Sequence, residues 1–120
     1  MKTIIISLAF MATLALKHGD KLTGRWQTQP SIKGNVTGIV FKADNSFEGY
    51  INKKPFTSGH YILKDSLFHF SDNGCNAVKA IYKVIFFSES DSLRLEVVND
   101  SCTERKNGIS RLVFGRVKTT

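Results

Sequence analysis

From residue 22 onward the chain repeats one pattern, a short run of alternating apolar and polar residues followed by a tight polar turn. Alternation of period two marks a strand with one buried face, and helical spacing is hard to find anywhere in this stretch. The runs are Leu22–Gln29, Asn35–Lys42, Ser46–Asn52, Phe56–Leu63, Leu67–Ser71, Ala80–Ser88, Leu93–Val98 and Ile109–Val117. Between them lie Lys33-Gly34, Ala43-Asp44-Asn45, Lys53-Lys54-Pro55, Lys64-Asp65-Ser66, Asn73-Gly74, Glu89-Ser90-Asp91-Ser92 and Asn107-Gly108. Such residues reverse a chain because they tolerate left-handed backbone or bond to it locally.

Short connections pair each strand with the next, antiparallel. A sheet of this many strands must protect its edges, and closure removes them altogether. The fold class expected is therefore all-β, an eight-stranded up-and-down antiparallel barrel. A two-sheet sandwich competes with it, but it usually needs longer Greek-key crossovers. The 120 residues suffice for one domain, placed at residues 22–117, and no internal repeat or low-complexity linker interrupts it. Eight strands enclose a space that side chains just fill, or that holds one small ligand.

The hairpin around Lys64-Asp65-Ser66 can be read in more detail. A two-residue turn at Lys64-Asp65 sets His60 opposite His69, and one at Asp65-Ser66 makes them diagonal neighbours. Either register puts Tyr61, Leu63, Phe68 and Phe70 on one face and His60, Ile62, Leu67 and His69 on the other. The aromatic face is the natural interior. Similar alternation assigns Phe41, Phe47, Tyr82 and Phe86 to the inside. The run Ala80–Ser88 is apolar on both faces, so Ile81, Ile85 and Phe87 become candidates for an outer contact patch.

The first residues read as a targeting segment. Lys2 precedes an uncharged stretch, Thr3 to Leu16, and the polar Lys17, His18, Asp20 and Lys21 follow. A bilayer span needs roughly 20 apolar residues, so the stretch has the length of a secretory signal rather than of an anchor. The expectation is a signal peptide at residues 1–15, cut after Ala15, with a secreted or periplasmic mature protein and no transmembrane span. The net charge of +7 becomes +6 once Lys2 is removed. Dispersed basic charge on an exported chain argues against nucleic acid as the partner. It favours attraction to anionic partners such as lipid headgroups, cell-wall polymers or acidic proteins.

The two cysteines, Cys75 and Cys102, suit an oxidising compartment and read first as one disulfide. Closing that loop would stabilise the fold by about 3–4 kcal/mol in the chain-entropy model. Without a C-x-x-C and without a His near either Cys, thiol catalysis has no support.

Several short motifs occur in a fixed order: Gly24-Arg25-Trp26, Gly59-His60-Tyr61, Asp72-Asn73-Gly74-Cys75, Tyr82, Leu93-Arg94-Leu95 and Asp100-Ser101-Cys102-Thr103-Glu104-Arg105. The opening G-x-W resembles that of lipocalins and related calycin barrels. The later order resembles a group of small exported bacterial lipocalin-like proteins that are poorly characterised, and D-x-C-x-x-R is its most specific element. The resemblance spans roughly residues 22–117. It implies a closed eight-stranded barrel with Cys75 bonded to Cys102, and structural roles for Gly24, Trp26 and Arg116. In such a barrel Trp26 closes one end with an Arg over its ring, and Arg116 is a better candidate than Arg111. Without its export segment the chain is shorter than a typical lipocalin, and later lipocalin signatures are not recognisable.

Motifs of catalysis are absent: there is no G-x-S-x-G, H-E-x-x-H, phosphate-cradling loop or dinucleotide fingerprint. The chain is not expected to be an enzyme, and no cofactor is implied. His60 and His69 could hold zinc or copper only if a carboxylate such as Asp65 or Asp72 converged on them. Two exposed histidines are the plainer reading, so no metal site is assigned. Asp100 and Arg105 flank Cys102 and read as an ion pair steadying that loop rather than as a recognition site. Asn35-Val36-Thr37 and Asn99-Asp100-Ser101 match the N-glycosylation triplet, which matters only in a eukaryotic source, whereas the resemblance is to bacterial proteins.

Two functions follow as expectations. The first is a binding protein for a small apolar or amphipathic ligand, lined by Phe41, Phe47, Tyr61, Phe68, Phe70, Tyr82 and Phe86. The second is an exported protein–protein interaction module, such as a protease inhibitor or an adhesion protein, with a side-chain-filled barrel.

Overall fold

The computed structural model describes residues 21–118, so the signal-peptide expectation for residues 1–15 lies outside the described residues. The eight strands are β1 (Gly24–Gln27), β2 (Thr37–Phe41), β3 (Ser46–Ile51), β4 (Lys54–Lys64), β5 (Leu67–Asp72), β6 (Ala80–Phe87), β7 (Ser92–Asn99) and β8 (Val113–Arg116). Each pairs antiparallel with the next, and β1 pairs with β8 to close the barrel. Consecutive pairing is what the short polar turns dictate, and closure leaves no edge strand to protect.

Every β4–β5 pair follows from the turn at Asp65-Ser66. Both turn residues have positive φ, 53° and 68°, the twist a two-residue hairpin needs. Lys64 then faces Leu67, Tyr61 faces Phe70, and Ile62 faces His69. The histidines are diagonal neighbours and both are exposed. Tyr61, Phe68 and Phe70 are buried.

Up-and-down topology divides the loops between the two ends. The β2–β3, β4–β5 and β6–β7 turns and both ends of the described residues lie at one end, which Trp26 closes. The β1–β2, β3–β4, β5–β6 and β7–β8 connections form the other end, the mouth. The core is made of buried rings and aliphatic groups, with Leu22, Trp26, Tyr82 and Leu93 the most enclosed.

Three local features depart from the sequence reading. An α-helix, α1 (Thr103–Ile109), occupies the β7–β8 connection where a loop was expected. It has fewer than two full turns and buries no residue completely, so it leaves no apolar stripe for a periodicity argument to find. The last strand consequently starts at Val113 instead of Ile109. The β3–β4 turn is Asn52-Lys53, both at positive φ, and not Lys53-Lys54-Pro55. Pro55 lies inside β4, beside the irregularity where Tyr50 pairs with it. A bulge is where a strand tolerates a residue with no N–H.

Candidate functional site

The seven residues expected to line a ligand cavity all point inward, and six of them form one connected group of rings. Phe68 and Phe70 stack with centroids 4.8 Å apart. Phe41 meets the edges of Tyr61 at 5.3 Å and Phe68 at 5.6 Å. Phe47 reaches Phe70 at 5.8 Å, and Phe70 reaches Tyr82 at 5.8 Å. Phe86 stands apart from this group, 6.3 Å from Trp26. Separations of this size are ring–ring contact. Apart from the half-buried Phe86, each of the seven is at most 6 % exposed. Near the mouth the inward side chains are smaller, and Ile39, Ile51 and Thr57 are only half-buried.

At the opposite end Trp26 donates its indole N–H to the Leu22 carbonyl at 2.8 Å. The Arg116 guanidinium lies 4.2 Å over the Trp26 ring and donates to the Lys21 carbonyl at 2.8 Å. Gly24 has φ 131°, a conformation open chiefly to glycine, and a Cβ there would stand 3.3 Å from Arg116 Nη1. The spacing of glycine and tryptophan thus makes room for the arginine that caps the ring.

The mouth holds a charged cluster. Arg105, on α1, donates from Nε to Asp100 Oδ2 at 2.9 Å and from Nη2 to Asp100 Oδ1 at 2.8 Å. Its Nη1 donates to Asp72 Oδ1 at 3.0 Å, and its Nη2 also reaches the Val78 carbonyl at 2.9 Å. The Tyr82 hydroxyl donates to Asp100 Oδ2 at 2.6 Å, and the Cys102 N–H to Asp100 Oδ1 at 2.9 Å. Burial alone would raise the pKa of the Asp100 carboxyl. The donors from Arg105, Tyr82 and Cys102 outweigh that effect and bring it down to about 2. Burial, then the bond to Asp100, pushes the Tyr82 phenol above its ordinary range. Both groups are therefore fixed in charge near neutral pH, one anionic and one neutral. Such a cluster holds structure and offers no poised acid or base.

The disulfide Cys75–Cys102, with Cα atoms 6.1 Å apart, ties the β5–β6 connection to the start of α1. Arg105 also lies 5.0 Å over the Phe70 ring, which joins this cluster to the aromatic core. Asp72 and Tyr82 are the members that spacing alone did not assign to it. The D-x-C-x-x-R element carried the Asp100–Arg105 half of the signal. The pairing of Asp72, at the end of β5, with an arginine 33 residues later depends on the closed barrel.

Two grooves lie on the outside. One of 360 Å³ runs over β3, β4 and β5 among Ser46, Ser58, His60 and Ser71, beside Lys42 and Glu48. The other, of 590 Å³, runs over β1, β2 and β3. Its centre is Gly38, which pairs with Gln27 on one side and Tyr50 on the other, so the missing side chain leaves the hollow. Among the described residues no three His, Cys, Asp or Glu side chains converge as a metal site would require. No described helix is long and apolar enough to cross a membrane. Neither a known family model nor a curated protein sequence matches the chain.

Proposed function

We propose that the protein is an exported, lipocalin-like barrel that recognises its partner with its outer surface, the interior serving as a solid scaffold. The observation that carries this reading is the continuous ring packing from Phe41 through Phe68 and Phe70 to Tyr82. A small-molecule pocket generally needs about 300 Å³ or more of concave space, and a ligand among these rings would have to displace them. The grooves of 360 and 590 Å³ described above both run over outer faces of the sheet. The disulfide fits export, as does the uncharged stretch behind Lys2.

The outer face of β6 supplies a candidate contact for a protein partner. Phe87 is exposed, while Ile81 and Ile85 are half-buried. Across the sheet Ile81 pairs with His69, which pairs with the exposed Ile62. This continues the apolar character of β6 onto its neighbours. A second reading, a small apolar or amphipathic ligand, draws on the half-buried Ile39, Ile51 and Thr57 near the mouth. An NMR titration with hexanol separates the two. The exterior reading expects no saturable shift at Phe47, Tyr61 or Phe70. Saturable shifts at those inward residues would favour the small ligand.

A further inference from the structure

The two ends of the barrel differ in charge. At the Trp26 end, Lys21, Lys42, Lys64 and Lys118 are interleaved with Asp44, Asp65, Glu89 and Asp91. Lys118 is paired with Asp91 at 3.0 Å, and Lys42 with Glu48 at 3.3 Å. At the mouth, Lys33, Lys53, Lys54, Lys79 and Arg111 are exposed and Lys106 is half-buried. Asp72 and Asp100 at this end are largely covered and both paired to Arg105, which offsets one of their two charges. Glu104 is the one exposed acid on the mouth connections among the described residues. None of Lys33, Lys53, Lys54 and Lys79 makes an ion pair among the described residues.

Apolar side chains stand beside these cations on two connections and at the start of β4. Ile32 precedes Lys33 at the tip of the β1–β2 loop and is fully exposed, at 106 % of its reference area. Phe56 follows Lys53-Lys54-Pro55 and is 66 % exposed. Val78 precedes Lys79 on the β5–β6 connection and is also exposed. An isolated surface leucine or valine needs no explanation, but apolar tips next to unpaired lysines around one end do. An acidic polymer in water would engage the lysines and gain nothing from Ile32 or Phe56. The interface of an anionic bilayer uses both, headgroups attracting the lysines while short apolar tips enter the acyl boundary.

We infer that the mouth end of the barrel docks on an anionic phospholipid bilayer, with Ile32 and Phe56 inserted and Lys33, Lys53, Lys54 and Lys79 against the headgroups. The barrel axis then stands on the membrane, and the β-sheet walls stay free for a protein partner. This builds on the exterior reading of the barrel. A ligand found inside the barrel would overturn that reading and leave the bilayer result untouched.

The test is co-sedimentation of the mature protein with phosphatidylcholine vesicles, with and without admixed phosphatidylglycerol. Binding is expected to the anionic vesicles, and salt should weaken it. Replacing Lys33, Lys53, Lys54 and Lys79 together by Ser should lower the partition coefficient about tenfold or more. Replacing Lys21, Lys42, Lys64 and Lys118 removes the same charge from the other end and should lower it less than about threefold. Ile32→Ser with Phe56→Ser should weaken vesicle binding while leaving binding to soluble polyglutamate unchanged. These side chains are exposed, and an unfolding midpoint for each variant verifies that it is folded. Equal losses from the two lysine sets would overturn the inference. So would vesicle binding indifferent to Ile32 and Phe56, which would mean that the rim reads an anionic polymer instead, or no preference for the anionic vesicles.

Discussion

The guanidinium of Arg105 holds the carboxylate of Asp100 through two parallel contacts, 2.9 Å from Nε and 2.8 Å from Nη2, with the Asp100 side chain fully covered. The pair joins α1 to the end of β7, and through Asp72 and Val78 it also holds the β5–β6 connection. Removing one member of a buried pair strands the other, which typically costs about 3–5 kcal/mol. Arg105→Ala should lose stability of that order in urea unfolding. Arg105→Lys keeps the charge without the planar fork and should recover only part of it. A loss below about 1 kcal/mol for Arg105→Ala would mean that the cluster is ornamental to the fold.

Asp100 also sets an acid limit. Its folded value near 2 lies below the ordinary 3.8, so between those two values the unfolded chain binds more protons than the folded one. The stability it contributes is complete above the unfolded value and is lost as pH falls through the folded one. The amount is about 2 kcal/mol for a shift of this size. Chemical unfolding across that acid range should show the decline in the native protein and a shallower one in Asp100→Asn. Identical acid profiles would remove Asp100 as the responsible group.

The β4–β5 hairpin predicts a contrast between adjacent residues. Phe68 is 2 % exposed and lies against four rings, Phe41, Phe47, Tyr61 and Phe70, whereas His69 is exposed. Phe68→Ala should cost roughly 3–5 kcal/mol. His69→Ala should stay within about 0.5 kcal/mol. A larger loss from His69→Ala would contradict the register fixed by Asp65-Ser66.

At Gly59 the backbone of β4 lies close against β5. A Cβ there would stand 2.8 Å from Asp72 Cα and 2.9 Å from Phe47 Cζ, and would collide with the Ser71 carbonyl. Backbone cannot retreat as a side-chain tip can, so Gly59→Ala should destabilise by about 3 kcal/mol or more. Gly108, with nothing within 4 Å of its Cβ position, is the control, and Gly108→Ala should be near neutral or stabilising in α1. Equal stability of the two variants would mean that the strands part easily at Gly59.

The barrel was legible because alternation and turn chemistry act over a few residues. Tyr61, Phe68 and Phe70 could be assigned to one face without knowing any partner beyond the hairpin. What escaped was set by longer range or by shorter length. The helix Thr103–Ile109 is too brief to show a period, and the β3–β4 reversal at Asn52-Lys53 contains neither glycine nor proline to mark it. The Asp100–Arg105 pair was readable from its local spacing. Its third and fourth members, Asp72 and Tyr82, join it only when β5, β6 and the end of β7 are side by side.

We propose that the barrel carries no guest inside and works from its surface. Native mass spectrometry of the mature protein purified from its own host tests it most directly. The account predicts the mass of the chain without residues 1–15, less two hydrogens for Cys75–Cys102, and no small molecule retained. A stoichiometric small-molecule adduct that stays with the folded protein and leaves on denaturation would contradict it.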